Sequence, residues 1–391
     1  ALGISAPGPY VEALERRGVR HIALAGSTRG WTLRGDLQAA ADLWRIVRLE
    51  RPAVLHTHNP KPGLYGRVVG RLAGVPIVVN TVHGLYATED DPWARRAVVY
   101  ALEAIASRFS DAELVQNAED VETMRRFHLA RPSKMQHLGN GVDLQRFRPD
   151  RLSLDERRAL HSSWGVDDGT LVVGCVGRLV AEKGYPELFD AVAGLDGVRL
   201  VVVGGDDPDK PDALDPSLVQ RAREAGVVLL GHRDDVPDLL GAFDVFVLAS
   251  HREGQPRAAM EAAASGLPVV ATDIRGCRQV VDHDVTGLLV PVQCPAALRS
   301  AIHRLADSPE LRTSMSAAAV TKAHTQFDER AVVYRVMDCY QRVARRKGWR
   351  LSPAPAPGAT HRRPVSPLPS QRRISRRSPR ALPTWQTRTW P

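Results

Sequence analysis

The sequence predicts an α/β protein of two doubly wound domains. Three observations carry this. Strand-like and helix-like segments alternate through most of the 391 residues, the signature of repeated βα units and parallel sheets. The strand-like runs are apolar on both faces, as in Val245-Phe246-Val247-Leu248, so helices should cover both sides of each sheet. The chain is also long enough to bury two separate cores.

In the first half, residues 10–17 read as a helix, 20–25 as a strand and 37–49 as a helix with apolar side chains at helical spacing. A strand over 53–57, a helix over 64–73 and a strand over 76–80 follow. A long helix over 93–109, a strand over 111–115 and a helix over 117–128 complete this half. Gly139-Asn140-Gly141-Val142-Asp143 is turn chemistry, and a linker runs through 146–150. In the second half, strands are expected over 171–177, 198–203, 227–230, 244–249 and 269–272. Helices are expected from Pro256 onward and over 295–306, 310–327 and 330–346. Pro256 suits a first helical turn, with its fixed φ and missing N–H. The run Ala258-Ala259-Met260-Glu261-Ala262-Ala263-Ala264 is strong helix former throughout.

The stretch from Ser250 to Ala262 concentrates the chemistry. The unpaired N–H groups at its helix start make an anion site. Glu253 lies in the preceding loop and Glu261 about two turns into the helix. A lone Glu is most simply a solvated surface charge. Glu261, however, sits among alanines, where a carboxylate needs a partner, and a ligand hydroxyl would serve.

This stretch resembles the E-x7-E signature of retaining glycosyltransferases of family 4, which have the GT-B fold of two Rossmann-like domains. The sequels Gly266-Leu267-Pro268-Val269-Val270-Ala271-Thr272-Asp273 and Thr286-Gly287-Leu288-Leu289-Val290 also match. The resemblance implies that Glu253 holds the donor sugar's hydroxyls and Glu261 the ribose. The backbone of Gly254, Gln255, Arg257 and Ala258 would meet the donor phosphates. Gly177-Arg178-Leu179-Val180-Ala181-Glu182-Lys183-Gly184 resembles the family's G-R-x4-K-G motif, so Arg178 and Lys183 would face the diphosphate. Two fixed cations stabilise the charge a diphosphate leaving group develops. The backbone near Arg233 would frame the base.

Polar clusters fall at three strand ends of the first half, where ligands of such sheets bind: His56-Thr57-His58, Thr81-Val82-His83-Gly84, and Gln116-Asn117. A strand-end His is more often a loop hydrogen-bonder than a site residue. The resemblance implies that His83 lies close to the transferred sugar, and that His58 and Lys61 lie on the acceptor side. Strand alternation is expected to turn His56 and His58 to opposite faces, against a shared metal. Asp207 and Asp209 stand in a loop of turn formers, so a turn is expected there rather than a metal-binding D-x-D. No metal and no cofactor is expected. Gln279 stands where Glu is usual in the family; it keeps the hydrogen-bond geometry and is not read as inactivating.

The resemblance implies an N-terminal acceptor domain over 1–145, truncated at its start, and a nucleotide-sugar domain over 146–327. A helix over 328–347 would cross back to the first domain, and a disordered tail would occupy 348–391. Family members begin with a strand and a glycine-rich loop ahead of anything matching Ile4-Ser5-Ala6-Pro7-Gly8, and this chain opens with Ala. Either a fragment or a lost first βα unit is implied, and the missing interior strand would leave a gap with unpaired backbone groups.

The net charge of +9 invites a nucleic-acid reading, but its placement argues otherwise. Residues 348–391 hold nine arginines and no acid, which leaves 44 basic against 44 acidic residues in the body. The tail is rich in Pro, Ser and Arg and has little to bury. It could touch anionic lipid or RNA, although an extension without function is the favoured reading. No run of about 18 apolar residues marks a membrane span. Four widely spaced cysteines fit a reduced, cytoplasmic chain, with peripheral contact at the inner membrane face admitted. No G-x-G-x-x-G follows a strand, against a dehydrogenase.

The expected activity is transfer of a hexose-type sugar from a nucleotide-sugar donor, UDP favoured, to a saccharide or lipid-linked saccharide acceptor in cell-surface polysaccharide synthesis. No specific nucleic acid is expected as a partner. Two alternatives stay open: a noncatalytic GT-B nucleotide-sugar-binding protein, and a GT-B sugar-nucleotide epimerase.

Overall fold

A computed structural model describes residues 1–351 except 7, 9, 25, 27–31, 59, 90 and 209. The predicted disordered tail therefore lies outside the described residues from 352 onward, as does Asp209. Residues 1–350 form one unit.

The first half runs β1 (Leu2–Ser5), α1 (Val11–Arg16), β2 (Arg20–Ala23), α2 (Leu33–Glu50), β3 (Val54–His58), α3 (Pro60–Leu72), β4 (Ile77–Val82), α4 (Trp93–Ala106), β5 (Ala112–Val115), α5 (Ala118–Arg126) and β6 (Met135–His137). Strands β3-β4-β5-β6 form a parallel sheet in chain order, while among the described residues β1 pairs only with β2, also in parallel. A cavity of about 820 Å³ separates β1 from β3, lined by Leu2, Ile4, Leu24, Val47, Leu55 and His56 among others. Strands β1 and β6 have no counterpart in the sequence reading. Both are short and only part-buried, so neither shows a strand's apolar run.

Beneath the four-stranded sheet, Arg67 of α3 is buried and donates to Glu113 of β5 at 2.9 Å and to Glu103 of α4 at 2.8 Å. Asn80 Nδ2 donates to the same Glu113 at 2.8 Å, and Ser110 also bonds it. A charge this far from water persists only when paired and hydrogen-bonded. The network ties two helices to two strands.

The second half runs α6 (Leu154–Ser163), β7 (Leu171–Val176), α7 (Tyr185–Val192), β8 (Val198–Val203), α8 (Pro216–Glu224), β9 (Val228–Leu229), α9 (Val236–Gly241), β10 (Val245–Leu248), α10 (Arg257–Ala264), β11 (Val269–Thr272), α11 (Arg275–Arg278), β12 (Gly287–Val290), α12 (Pro295–Ala306) and α13 (Pro309–Gln326). Its sheet has the order β12-β11-β10-β7-β8-β9, all parallel. The chain thus winds outward from β7 in one direction and from β10 in the other. Each face carries its own core: Phe243, Phe246, Met260 and Val269 on one, and Leu188, Val245, Val247 and Ile302 on the other. Helices cover both faces, which is why the strands carry no polar alternation.

The last helix, α14 (Glu329–Arg346), returns to the first half. There Arg335 donates to the Leu138 carbonyl at 2.7 Å, and Lys347 pairs with Asp111 at 2.6 Å.

Candidate active site

The site forms where the strand order of the larger sheet reverses, from the loops that leave the carboxyl ends of β7 and β10, as doubly wound sheets favour. After β7 the chain passes Gly177 and Arg178 and makes one 3-10 turn, Ala181–Lys183. Gly184 then has φ +70°, and a Cβ there would lie 2.0 Å from the Ala249 carbonyl oxygen. Only glycine combines that dihedral with that approach. The result brings Lys183 to Glu253: Nζ donates to Oε1 at 2.5 Å, and Ser250 Oγ donates to the same oxygen at 2.9 Å.

Helix α10 begins at Arg257, one residue later than the sequence suggested. Pro256 precedes it and offers no side-chain cap, which leaves the first-turn N–H groups aimed at the site. Gln255 Oε1 is buried without a hydrogen-bond partner among the described residues. Glu261 is largely buried, and burial raises its carboxyl above the usual range, against Arg257 and Arg146. Arg257 Nε stands 3.8 Å away, too far for a hydrogen bond.

Across the cleft, His83 follows β4. Its Nδ1 lies 3.0 Å from Gln116 Oε1, and its Nε2 lies 3.0 Å from His58 Nδ1. An amide oxygen can only accept, so His83 carries its proton on Nδ1, and His58 donates to the bare Nε2. His56 bonds Tyr340 OH of α14 at 2.6 Å and Thr81 Oγ1 at 2.7 Å. Burial, with the neighbouring rings, pulls His56 down to about 3 and His58 to about 4, and burial also lowers His83. The cluster is neutral at physiological pH. His56 and His58 share one face, their rings stacked with centroids 4.2 Å apart. This corrects the expectation of opposite faces: positions i and i+2 of a strand lie on the same side. Among the described residues, no group of three or more His, Cys, Asp or Glu side chains is arranged to hold a metal.

The two halves meet at this point. A Cβ on Gly254 would lie 2.1 Å from the His83 carbonyl oxygen, so the loop after β10 touches the loop after β4 through a glycine. Asn117 Nδ2 donates to the Gly254 carbonyl at 2.9 Å while its Oδ1 caps α5. Arg275 pairs with Asp120 and donates to the Leu85 carbonyl at 2.6 Å. Arg252 pairs with Asp91 at 2.9 Å, and Arg278 with Glu119 at 2.8 Å. Beside this seam lies a cavity of about 660 Å³, lined by His83, Gly84, Val98, Leu102, Gly254 and Arg275 among others.

Of the predicted site residues, the fold thus joins His58 to His83, His83 to Gly254, and Lys183 to Glu253. Others are held apart. Arg178 pairs with Asp207 at 2.5 Å, an acid the sequence offered only as a turn residue. Arg233 forks onto Asp235 at 2.8 and 2.5 Å, and Lys61 lies 2.5 Å from Asp36. Gln279 faces Glu119, its Nε2 3.4 Å from Oε1, and its Oε1 meets the Ala118 N–H at 3.4 Å. A Glu at 279 would set two carboxylates together. Arg275, Asp120, Arg252 and Asp91 were not legible, because nothing local in a sequence says which charge a surface arginine will meet.

Two family models match the chain: a glycosyl transferase 4-like domain over residues 3–141 and a glycosyl transferases group 1 model over 170–308. The UDP-Gal:alpha-D-GlcNAc-diphosphoundecaprenol alpha-1,3-galactosyltransferase of Escherichia coli is 30% identical over 315 residues, covering 78% of this chain and 79% of that protein. The capsular polysaccharide biosynthesis glycosyltransferase CapM of Staphylococcus aureus is 26% identical over 316 residues, covering 78% and 80%. Among solved structures, a glycosyltransferase from Rickettsia africae superposes with TM-score 0.73 at 18% identity, covering 88% of this chain and 89% of the other. Anabaena HepE in complex with UDP and glucose gives TM-score 0.73 at 21% identity, covering 88% and 92%. The similarity spans both halves and the seam between them, and the chain belongs to the group 1 glycosyltransferases and has their GT-B fold.

Proposed function

We propose that this glycosyltransferase moves a hexose-type sugar from a UDP-sugar to a lipid-linked saccharide, with retention at the anomeric carbon. The observation that carries the reading is the seam itself. Lys183 and Glu253 on one half stand across the Gly254–His83 contact from a neutral histidine cluster on the other. In this reading the diphosphate lies on the first turn of α10, with Lys183 and Arg178 supplying positive charge as the leaving group develops its own. Glu253 accepts from the donor sugar's hydroxyls and Glu261 from the ribose, which gives that buried carboxylate its missing donors. The bond from C1 to the diphosphate breaks, the acceptor oxygen bonds C1 on the same face, and the acceptor's proton passes to the departing phosphate oxygen. His83, its ring fixed by Gln116 and His58, lines the place where the transferred sugar lies.

The UDP preference and the diphosphate-lipid acceptor rest on the relative from Escherichia coli, whose name carries both. A Campylobacter jejuni relative, 26% identical, is likewise named for a diphospho-undecaprenol acceptor. In this reading the chain works peripherally at the cytoplasmic face of a membrane, where such an acceptor would be met. No helix of the described residues is long and apolar enough to cross one.

Thermal shift with UDP, GDP and their sugars, on this chain and on Glu261→Ala, tests the donor site. A UDP-selective stabilisation lost in the variant is expected, and no shift with any nucleotide overturns the reading. Transfer is also expected to survive EDTA, since protein cations carry the diphosphate; loss restored by added divalent metal would contradict this.

A further inference from the structure

Helix α4 presents half its circumference to solvent with no charge on it. At 100° per residue, Trp93, Ala94, Ala97, Val98, Ala101, Leu102 and Ile105 fall within one continuous stripe, and all seven are exposed. Trp93 is 76% exposed, Val98 60%, Ile105 52% and Leu102 43%. Exposed apolar residues on α2 (Leu33, Leu37, Trp44, Leu49) differ in kind, because the exposed Arg34, Arg45 and Arg48 fall on the helix face between the first three and Leu49. A contiguous apolar patch of this length marks an interaction surface.

Resting on the reading under Proposed function, we propose that the α4 stripe seats on the lipid–water interface of an anionic bilayer and brings a lipid-anchored acceptor to the cavity beside His83. Two features select a bilayer over another protein. The first is continuity. Val98 and Leu102, on one edge of the stripe, also line the cavity that holds His83, Gly84 and Gly254. A saccharide head placed at His83 has its lipid tail leave past those two side chains onto the stripe. The second is the border. Arg95 stands on the cavity edge of the stripe and Arg108 just beyond its end, both exposed. The helix's single acid, Glu103, is taken by the buried Arg67, and Asp91 ahead of the helix is held by Arg95 and Arg252. The half-exposed Tyr86 lies beside Arg95, which reaches its carbonyl at 3.4 Å. Trp93 and Tyr86 are residue types that sit at the headgroup level, and the arginines suit anionic headgroups.

The test is co-sedimentation of the full chain with vesicles of phosphatidylcholine and phosphatidylglycerol in equal parts. The parent is compared with a Trp93→Gln/Ala97→Glu/Ile105→Gln variant, whose positions lie outside the cavity lining. Salt of about 0.5 M screens the basic tail, so that apolar insertion is read. Binding at least about tenfold weaker in the variant is expected, since these side chains would otherwise be buried in the interface. Quenching of tryptophan emission by brominated lipid should fall in Trp93→Phe alone. Equal binding by parent and variant overturns the proposal, as does a parent that stays in the supernatant. A parent dimer that the variant dissolves in light scattering overturns it in favour of a second copy. UDP-induced thermal shift in the variant reports folding and the donor site separately. A retained shift with lost vesicle binding supports the proposal, and an absent shift in both proteins faults the underlying reading instead.

Discussion

Lys183 and Glu253 hold each other at 2.5 Å in the part-exposed floor of the cleft. An ion pair open to water is worth little by itself, so it can exchange partners when a diphosphate and a sugar arrive. The two members should then separate kinetically. Lys183→Ala is expected to weaken UDP binding by roughly 10–100-fold, the worth of a charge-assisted bond, measured by calorimetry. Glu253→Gln should leave UDP binding intact, since its carboxylate no longer competes for Lys183, yet lower turnover by about 100-fold. The histidine cluster adds a stability effect of definite sign. Burial first, then His58 and His83, takes His56 to about 3, below its ordinary 6.5. The unfolded chain therefore binds more protons between these values, and stability is complete above about 6.5 and lost as pH falls toward 3. The contribution is on the order of a few kcal/mol. The melting temperature should drop between pH 7.5 and 5, and less steeply in His56→Gln.

At the scale of elements, Arg67 is the stake between α3, α4 and β5. Arg67→Ala leaves Glu113 charged and buried, and should cost about 3–5 kcal/mol, read from urea unfolding. The strands around the site were legible because a strand covered on both faces must be apolar throughout. Residues 198–203 and 269–272 appear as read. Helices α6, α7 and α8 escaped notice, being short and, apart from α7, largely polar. The Glu253–Glu261 spacing and the cation loop were legible because each is local: one turn or one helix fixes the geometry. What Arg178, Arg233 and Lys61 do in the folded chain was not, since Asp207, Asp235 and Asp36 compete for them and only the fold decides the outcome. The error over His56 and His58 was one of strand parity, and the stacked rings show its cost.

At the scale of the molecule, the halves are closed on one another by Arg275–Asp120, Arg252–Asp91, Arg278–Glu119 and Asn117 at Gly254. Arg275 and Asp120 are the most buried of these pairs, and burial raises the Asp120 carboxyl against Arg275. Removing the guanidinium strands a buried acid. Arg275→Ala should therefore shift the free protein toward an open cleft, seen as a larger radius of gyration in solution scattering that UDP-sugar reverses.

The cavity between β1 and β3 divides the molecule by tempo. A two-stranded ribbon with both outer edges unpaired is marginal in water, and β1 and β2 lean on the remainder through the apolar side of α2. Their amides should trade deuterium within minutes by local opening. Those of β10 and β11, locked inside a six-stranded sheet, should hold their protons until the whole chain unfolds. The first half would then breathe continuously beside a second half that does not, and under the function proposed above that leaves room for saccharides of differing shape to settle against an unmoving nucleotide.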